Sequence, residues 1–361
     1  MQDLLEFSPK ERQQAFEEAT ARSTTIKNPI IIEKDFWVCW TLDQIFSNED
    51  LSPHVIFKGG TSLSKCYNII ERFSEDIDLT FSKEYMGIDD ENDPASCNSR
   101  KQRDKRLEEL SKKVKNKISE EIKPILQTEF GKSLSAYFDD SEWRLEPDED
   151  DDQSLIFHYP NSVPKKENDY IRSAIKLEFG ARGGISPCEN KSVTSYCHQL
   201  LPELGGKAPE INVRTLLAKR TYWEKITLVH AEYHRSPDKP LPYRLFRHYY
   251  DIVMLDNNNL TQEALQDIAL LEDVRKNKSI YFPAKWANYD KAVIGSLRLY
   301  PNKLFMEQLK ADHSKMVDMF FGKTPDFDET LEHIKRIEKM VNKTEYYKIR
   351  KEYPLKKKEM P

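Results

Sequence analysis

The chain reads as an α+β fold, with strands gathered in residues 1–205 and helices dominating residues 206–361, and three observations support this. Segments of strand length in the first part run apolar or alternate with period two: "HVIFKGG", "EDIDLTF", "EWRLE", "SLIFHYP" and "YIRSAIKLEFGARGG". Past "ELGGKAPEI" the apolar residues recur at helical spacing through "LLAKRTYWEKITLVHAEYH", "LFRHYYDIVML" and further segments up to Val341. The composition, 38% hydrophobic and 32% charged over 361 residues, suits a folded, polar-surfaced protein with enough chain for a sizeable core.

In order, the helical spacing between Glu11 and Phe46 breaks around Pro29 and predicts two N-terminal helices, the second on "EKDFWVCWTLDQIF". "HVIFKGG" follows as a short buried strand ending on glycines, "TSLSKCYNII" as a helix and "EDIDLTF" as a strand. An acidic loop over Asp89–Asp93 leads into a charged helical stretch, residues 99–130, with few apolar anchors. The acidic cluster of "SEWRLEPDEDDDQ" falls at a hairpin tip between two strands. In "IKLEF", Ile175, Leu177 and Phe179 share one face, with Lys176 and Glu178 on the other.

Bulk properties narrow the class. No apolar run approaches the roughly 20 residues of a membrane helix, and "MQDLLEFSPKERQQAF" lacks the basic-then-apolar pattern of a secretion signal, so a cytoplasmic location without a membrane partner is expected. The cysteines, Cys39, Cys66, Cys97, Cys188 and Cys197, are widely spread and form no CxxC pair, as reduced bystanders would. A net charge of −5 argues against bulk attraction to polyanions, so such a partner must be held locally. The basic tail "YYKIRKEYPLKKKEMP" reads as a solvated terminus, with phosphate contact as the alternative.

Chemistry concentrates first in "FKGGTSLSKCYNIIERFSEDIDLTF". Thr61 and Ser62 are N-cap residue types, and Leu63, Cys66, Tyr67 and Ile70 would form one buried stripe. Gly59 and Gly60 permit close approach of a ligand to the backbone, free amides at a helix start favour anions, and Lys58 and Lys65 add positive charge. On a strand, Asp76 and Asp78 would project to one side while Ile77 and Leu79 anchor the other. Two aligned carboxylates repel unless something offsets them, and Mg²⁺ with substrate phosphates would; a polar edge-strand face is the plainer alternative. Glu178, beside Lys176, could complete a metal site or take a proton, or else form a salt bridge.

Two helices add candidates. In "RLFRHYYDIVML", Arg244, Arg247, His248 and Asp251 line up opposite an apolar stripe of Phe246, Tyr249, Tyr250 and Val253, and suit recognition of a phosphate or base. In "RTYWEKITLVHAEYH", Lys225 sits among aromatics, where it must be paired or functional. His230 and His234 stand at i and i+4, but Glu232 is misplaced for a zinc HExxH motif.

Taken in order, "KGGTSLSK", "RFSEDIDL", "IKLEFG", "RTYWEKI" and "RHYYDI" resemble the AbiEii/AbiGii-type toxin family of nucleotidyltransferases, relatives of the polymerase-beta-like superfamily. The resemblance spans Glu33 to Leu255, and GGTxLxK followed by RxSxDID is its most specific part. It implies a bilobed α+β protein: a polymerase-beta-like nucleotidyltransferase core with a mixed sheet over residues 1–205, and a mainly helical C-terminal lobe over 206–361. It further implies a nucleoside triphosphate substrate, Mg²⁺ (or Mn²⁺) as cofactor, a cognate antitoxin, and a role in toxin-antitoxin or abortive-infection phage defence. The implied acceptor is RNA, in particular the tRNA 3′ end; a protein hydroxyl on the same fold, or a catalytically silent binding module, is the alternative. By position, Asp76 and Asp78 match the metal-binding pair, with Glu178 at the third acidic position. Gly60 to Ser62 match the phosphate turn, and Lys225 and Asp251 match the functional lysine and aspartate of the later motifs. The turn departs from the superfamily in carrying Gly60-Thr61-Ser62, which leaves open whether Thr61 or Ser62 touches phosphate. The last hundred residues match no motif, and target choice is expected there.

Overall fold

A computed structural model describes residues 1–164, 171–204 and 208–343. The basic tail beyond Lys343 and the expected boundary at Gly205 lie outside those residues. The chain divides into two compact units, one of Met1–Leu217 with Asp318–Thr324, the other of Ala218–Val317 and the chain from Pro325 on.

The first unit contains α1 (Gln2–Leu5), α2 (Pro9–Arg22), α3 (Pro29–Ser47), β1 (Val55–Lys58), α4 (Gly59–Lys65) and β2 (Ile77–Phe81). It continues with α5 (Arg100–Lys117), a π-helical turn (Ile118–Ile122), α6 (Lys123–Leu134), β3 (Arg144–Pro147), β4 (Ser154–His158), β5 (Ile175–Gly180), β6 (Cys188–Val193), α7 (Tyr196–Leu200) and β7 (Ile211–Leu216). The seven strands form one mixed sheet in the order β3-β4-β5-β2-β1-β7-β6, parallel at β2/β5 and β1/β7 and antiparallel elsewhere.

Local chemistry explains where these elements start. Ser8 and Glu11 form a reciprocal capping box at α2, with Pro9 at its first position. Asn28 caps α3 by accepting from the Ile30 amide. Every residue of α3 from Ile30 to Leu42 is buried, Glu33, Lys34 and Asp35 included, so this helix lies inside the unit rather than on it. Its Trp37 and Trp40 pack with Phe130 of α6 and with Phe157 and Tyr159 of the β4 segment, an aromatic core against the sheet.

Two strands escaped the sequence. β6 is polar and half exposed, an edge strand paired only to β7, so no apolar alternation marks it. β7 lies beyond Gly205, where the spacing predicted helix; its apolar residues merge into the helical run that begins at Ala218.

The second unit is helical: α8 (Ala218–Tyr233), α9 (Phe246–Asn257), α10 (Leu260–Leu265), α11 (Ile268–Tyr281), α12 (Met306–Lys315) and α13 (Phe327–Val341). Its core includes Trp223, Ile226, Phe246, Tyr249, Ile252, Ile334 and Ile337, all buried.

Candidate active site

The middle of the sheet lines three charged residues up. Lys58 at the end of β1 is the antiparallel partner of Asp78 on β2, and Asp78 is the parallel partner of Glu178 on β5. Directly paired residues point to the same side of a sheet, so a lysine and two carboxylates stand in a row on one face. The opposite face is anchored by Ile77, Leu79 and Leu177, all buried. Asp76 departs from the expected geometry: β2 begins at Ile77, so only Asp78 of the pair is carried by the strand.

Lys176 lies two residues before Glu178 and reaches three carboxylates, Asp148 at 3.0 Å, Asp151 at 3.5 Å and Glu178 at 3.6 Å. Burial alone would lower its ammonium, but Asp148, Glu178 and Asp151 together hold it raised. Asp148 and Asp151 belong to the turn joining β3 to β4, so the acidic cluster serves that hairpin and this lysine.

The glycine turn differs from its expectation in three respects. α4 starts at Gly59 with Lys58 as its uncapped N-cap residue and ends at Lys65, so Thr61 and Ser62 lie inside the helix and the stripe through Cys66, Tyr67 and Ile70 does not form. Both hydroxyls face inward: Thr61 donates to the Asp76 carbonyl at 2.5 Å and Ser62 to the Gly59 carbonyl at 3.0 Å, so they fasten the turn and the start of β2. Lys65, expected to meet phosphate, is buried and paired with Asp35 at 2.7 Å beneath the Tyr196 ring. Burial opposes its charge, and the Asp35 carboxylate outweighs that and raises it. Gly59 has φ +80°, and a Cβ there would stand 1.9 Å from Asp78 Oδ2; glycine is required on both grounds. A Cβ at Gly60 would meet the buried Arg72 guanidinium at 2.7 Å and Ser74 Oγ at 2.8 Å. Arg72 and Phe73 are clamped in turn by residues 318–324, through the Arg72–Phe320 bridge and the Phe73 amide donating to the Met319 carbonyl at 2.6 Å.

A set that sequence inspection passed over supports this face. Successive buried residues of α3 tether the segments around it. Glu33 accepts from the Ser162 amide and hydroxyl at 2.5 and 2.7 Å. Lys34 donates to Glu75 at 2.6 Å and to the Arg172 carbonyl at 2.9 Å, joining the approach to β2 with the approach to β5. Asp35 holds Lys65 and accepts from the Tyr196 amide at 2.6 Å. The available signal was three consecutive charges set between the apolar runs Ile30–Ile32 and Phe36–Trp40.

In the second unit, Lys225 of α8 and Asp251 of α9 form an ion pair of 2.8 Å, with Asp251 fully buried, so the lysine among aromatics is indeed paired. Arg244 is not part of the expected polar face: it has φ +57° and precedes α9, which begins at Phe246. Arg247 and His248 are half-buried on α9. His230 and His234 stack edge to face at 4.9 Å and belong to no metal cluster among the described residues.

The sequence profile of the nucleotidyl transferase AbiEii toxin family, assigned to type IV toxin-antitoxin systems, matches residues 40–333. The chain belongs to this AbiEii family. No curated protein sequence matches it significantly. Among solved structures it is similar to MenT4, a nucleotidyltransferase toxin from Mycobacterium tuberculosis H37Rv, at 12% identity and a TM-score of 0.44, over 95% of this chain and 92% of that one. As an AbiEii protein the chain is a nucleotidyltransferase toxin of a type IV toxin-antitoxin system, with a nucleoside triphosphate as substrate and an antitoxin as partner. Among the described residues no helix is long and apolar enough to cross a membrane.

Nucleotidyltransferases generally use divalent metals, and the AbiEii sheet face has suitable donors. Asp78 and Glu178 present carboxylate oxygens side by side, with Asp76 just ahead of them, and hard oxygen ligands are what Mg²⁺ takes. No three His, Cys, Asp or Glu side chains among the described residues are already gathered at metal-ligating separation.

Proposed function

We propose that the protein transfers a nucleotidyl group from a nucleoside triphosphate to the 3′-terminal hydroxyl of a tRNA. The observation that supports this most is the row Lys58–Asp78–Glu178 on one sheet face, with Gly59 packed on the Asp78 carboxylate. Asp76, Asp78 and Glu178 would hold Mg²⁺ or Mn²⁺, which when bound supplies neutralisation of triphosphate charge. The first-turn amides of α4, lacking a side-chain cap, receive phosphate oxygens, and Lys58 adds positive charge beside them. The acceptor hydroxyl attacks the α-phosphate in line, the bond to the bridging oxygen breaks, and pyrophosphate leaves. Glu178 takes the hydroxyl proton, and the chain contributes chiefly orientation and electrostatics. Thr61, Ser62 and Lys65 act from behind, as fastenings of the turn.

Incubation with each labelled nucleoside triphosphate, tRNA and candidate proteins tests this. Label is expected in the tRNA, and Asp78→Asn and Asp76→Ala are expected to lower its incorporation by about three orders of magnitude without unfolding the chain. Label confined to protein, or normal turnover in either variant, would overturn the assignment.

A further inference from the structure

We propose that the outward face of α5 is the docking surface for the phosphate backbone of the RNA acceptor; this rests on the RNA reading above. α5 carries nine Lys and Arg against three Asp and Glu, in a chain whose net charge is −5. Leu107, Leu110 and Val114 bury one side of it. On the other side Lys101, Lys105, Glu108, Lys112 and Lys115 recur at i, i+4, i+7, i+11 and i+14, all exposed. That is a lysine stripe about 21 Å long at 1.5 Å per residue, the length over which several phosphates of one strand lie.

The stripe keeps a net positive charge, four lysines to the one Glu108, and its ion pairs with neighbours are exposed. Lys105 approaches Glu109 only to 3.5 Å and Lys115 approaches Asp152 to 3.3 Å, and all four side chains are about half exposed or more. Lys101 and Lys112 make no ion pair with a described residue. Helix stability does not account for the arrangement either. The first turn holds no acidic residue and carries Arg100, Lys101 and Arg103, where cations oppose the helix dipole. A face serving solubility alone would place acids there.

α5 is also anchored beside the sheet face. Ser111 accepts from the Gln153 side chain at 2.7 Å, and the Gln153 carbonyl accepts from the amide of Phe179, next to Glu178, at 3.0 Å. Lys113 donates to the Gly87 carbonyl at 2.8 Å in the loop that follows β2. A polyanion lying along the stripe therefore runs close to the strand that carries Glu178. Charge complementarity combined with this position favours RNA over an anionic lipid surface, which would have no use for a neighbouring carboxylate row.

The test titrates the full chain with fluorescent tRNA over a series of salt concentrations. The variant Lys101→Gln/Lys105→Gln/Lys112→Gln/Lys115→Gln is expected to flatten the slope of log affinity against log salt by about three, since each phosphate no longer neutralised takes about 0.7 from it. It should weaken binding at least about tenfold at 0.1 M salt and raise KM for tRNA, with KM for the nucleoside triphosphate held. A control, Lys310→Gln/Lys335→Gln/Lys339→Gln on exposed positions of the second unit, should change neither. An unchanged slope and tRNA KM in a variant that still labels tRNA overturns the surface and leaves the transfer reading standing. An equal loss in the control overturns it too, as does binding to phosphatidylserine vesicles without binding to tRNA. If the unaltered chain labels no RNA, the transfer reading falls and the surface with it.

Discussion

Replacing Gly59 by alanine tests the geometry of the acidic row. At φ +80° an alanine incurs the left-handed penalty, about 1–2 kcal/mol, because its Cβ crowds the following carbonyl. The new methyl would also stand 1.9 Å from Asp78 Oδ2, 2.7 Å from its Cγ and 3.1 Å from its Cβ. Rotation about χ1 moves Oδ2 and Cγ but not Cβ, so the carboxylate must swing away and the strand must also yield slightly. A displacement of about 1 Å at a reacting centre lowers turnover by about a hundredfold, while the stability loss should stay near 1–2 kcal/mol. Initial rates of nucleotide transfer, measured beside thermal unfolding, separate the two effects. Gly87→Ala is the matched control, since Gly87 also has a positive φ, +64°, and a Cβ there meets nothing within 4 Å. Wild-type turnover in Gly59→Ala, or equal loss in both variants, would refute the placement of Asp78 at the reacting centre.

Other outcomes follow from the buried charges. Lys34→Met should destabilise the first unit by about 3–5 kcal/mol in urea unfolding, because it removes the buried ammonium 2.6 Å from the Glu75 carboxylate; Lys34→Met/Glu75→Gln should recover part of that. Lys225→Met should cost a similar 3–5 kcal/mol by removing the ammonium 2.8 Å from the buried Asp251 carboxylate, with Lys225→Met/Asp251→Leu cheaper than the single change. Burial lowers His230 to about 4, and its neutral ring accepts from the Arg298 amide at Nδ1 and faces the Asn288 carbonyl at Nε2. The unfolded chain then binds this proton first, so stability should fall as pH drops from 6.5 towards 4. His230→Gln should flatten that slope in pH-dependent melting.

How far each feature could be read from sequence depended on how local its cause was. The strands "IDLTF" and "IKLEF" declared themselves through alternation, since side chains on a strand repeat every two residues, and "VIFK" through a short apolar run ending on glycines, being buried on both faces. The pairing of glycine turn and acidic strand was equally visible. α4 was misread because its start depends on Gly59 taking a positive φ to clear Asp78, an approach between residues nineteen apart in sequence that no cap propensity reveals. Lys65 looked like a phosphate ligand from charge and proximity alone. Starting the helix at Gly59 makes it the last residue of α4, and its side chain is buried against Asp35.

Sequence alone determined the α+β class, the nucleotidyltransferase family, and the residue types of the candidate site, since periodicity and short motifs are properties of neighbouring residues. Tertiary structure decided which of those residues share a face. Register places Lys58, Asp78 and Glu178 in one row although they come from three separate strands. It also assigned Glu33, Lys34 and Asp35 to holding that row in place, because a charge inside an apolar helix finds its partner only once distant segments fold around it.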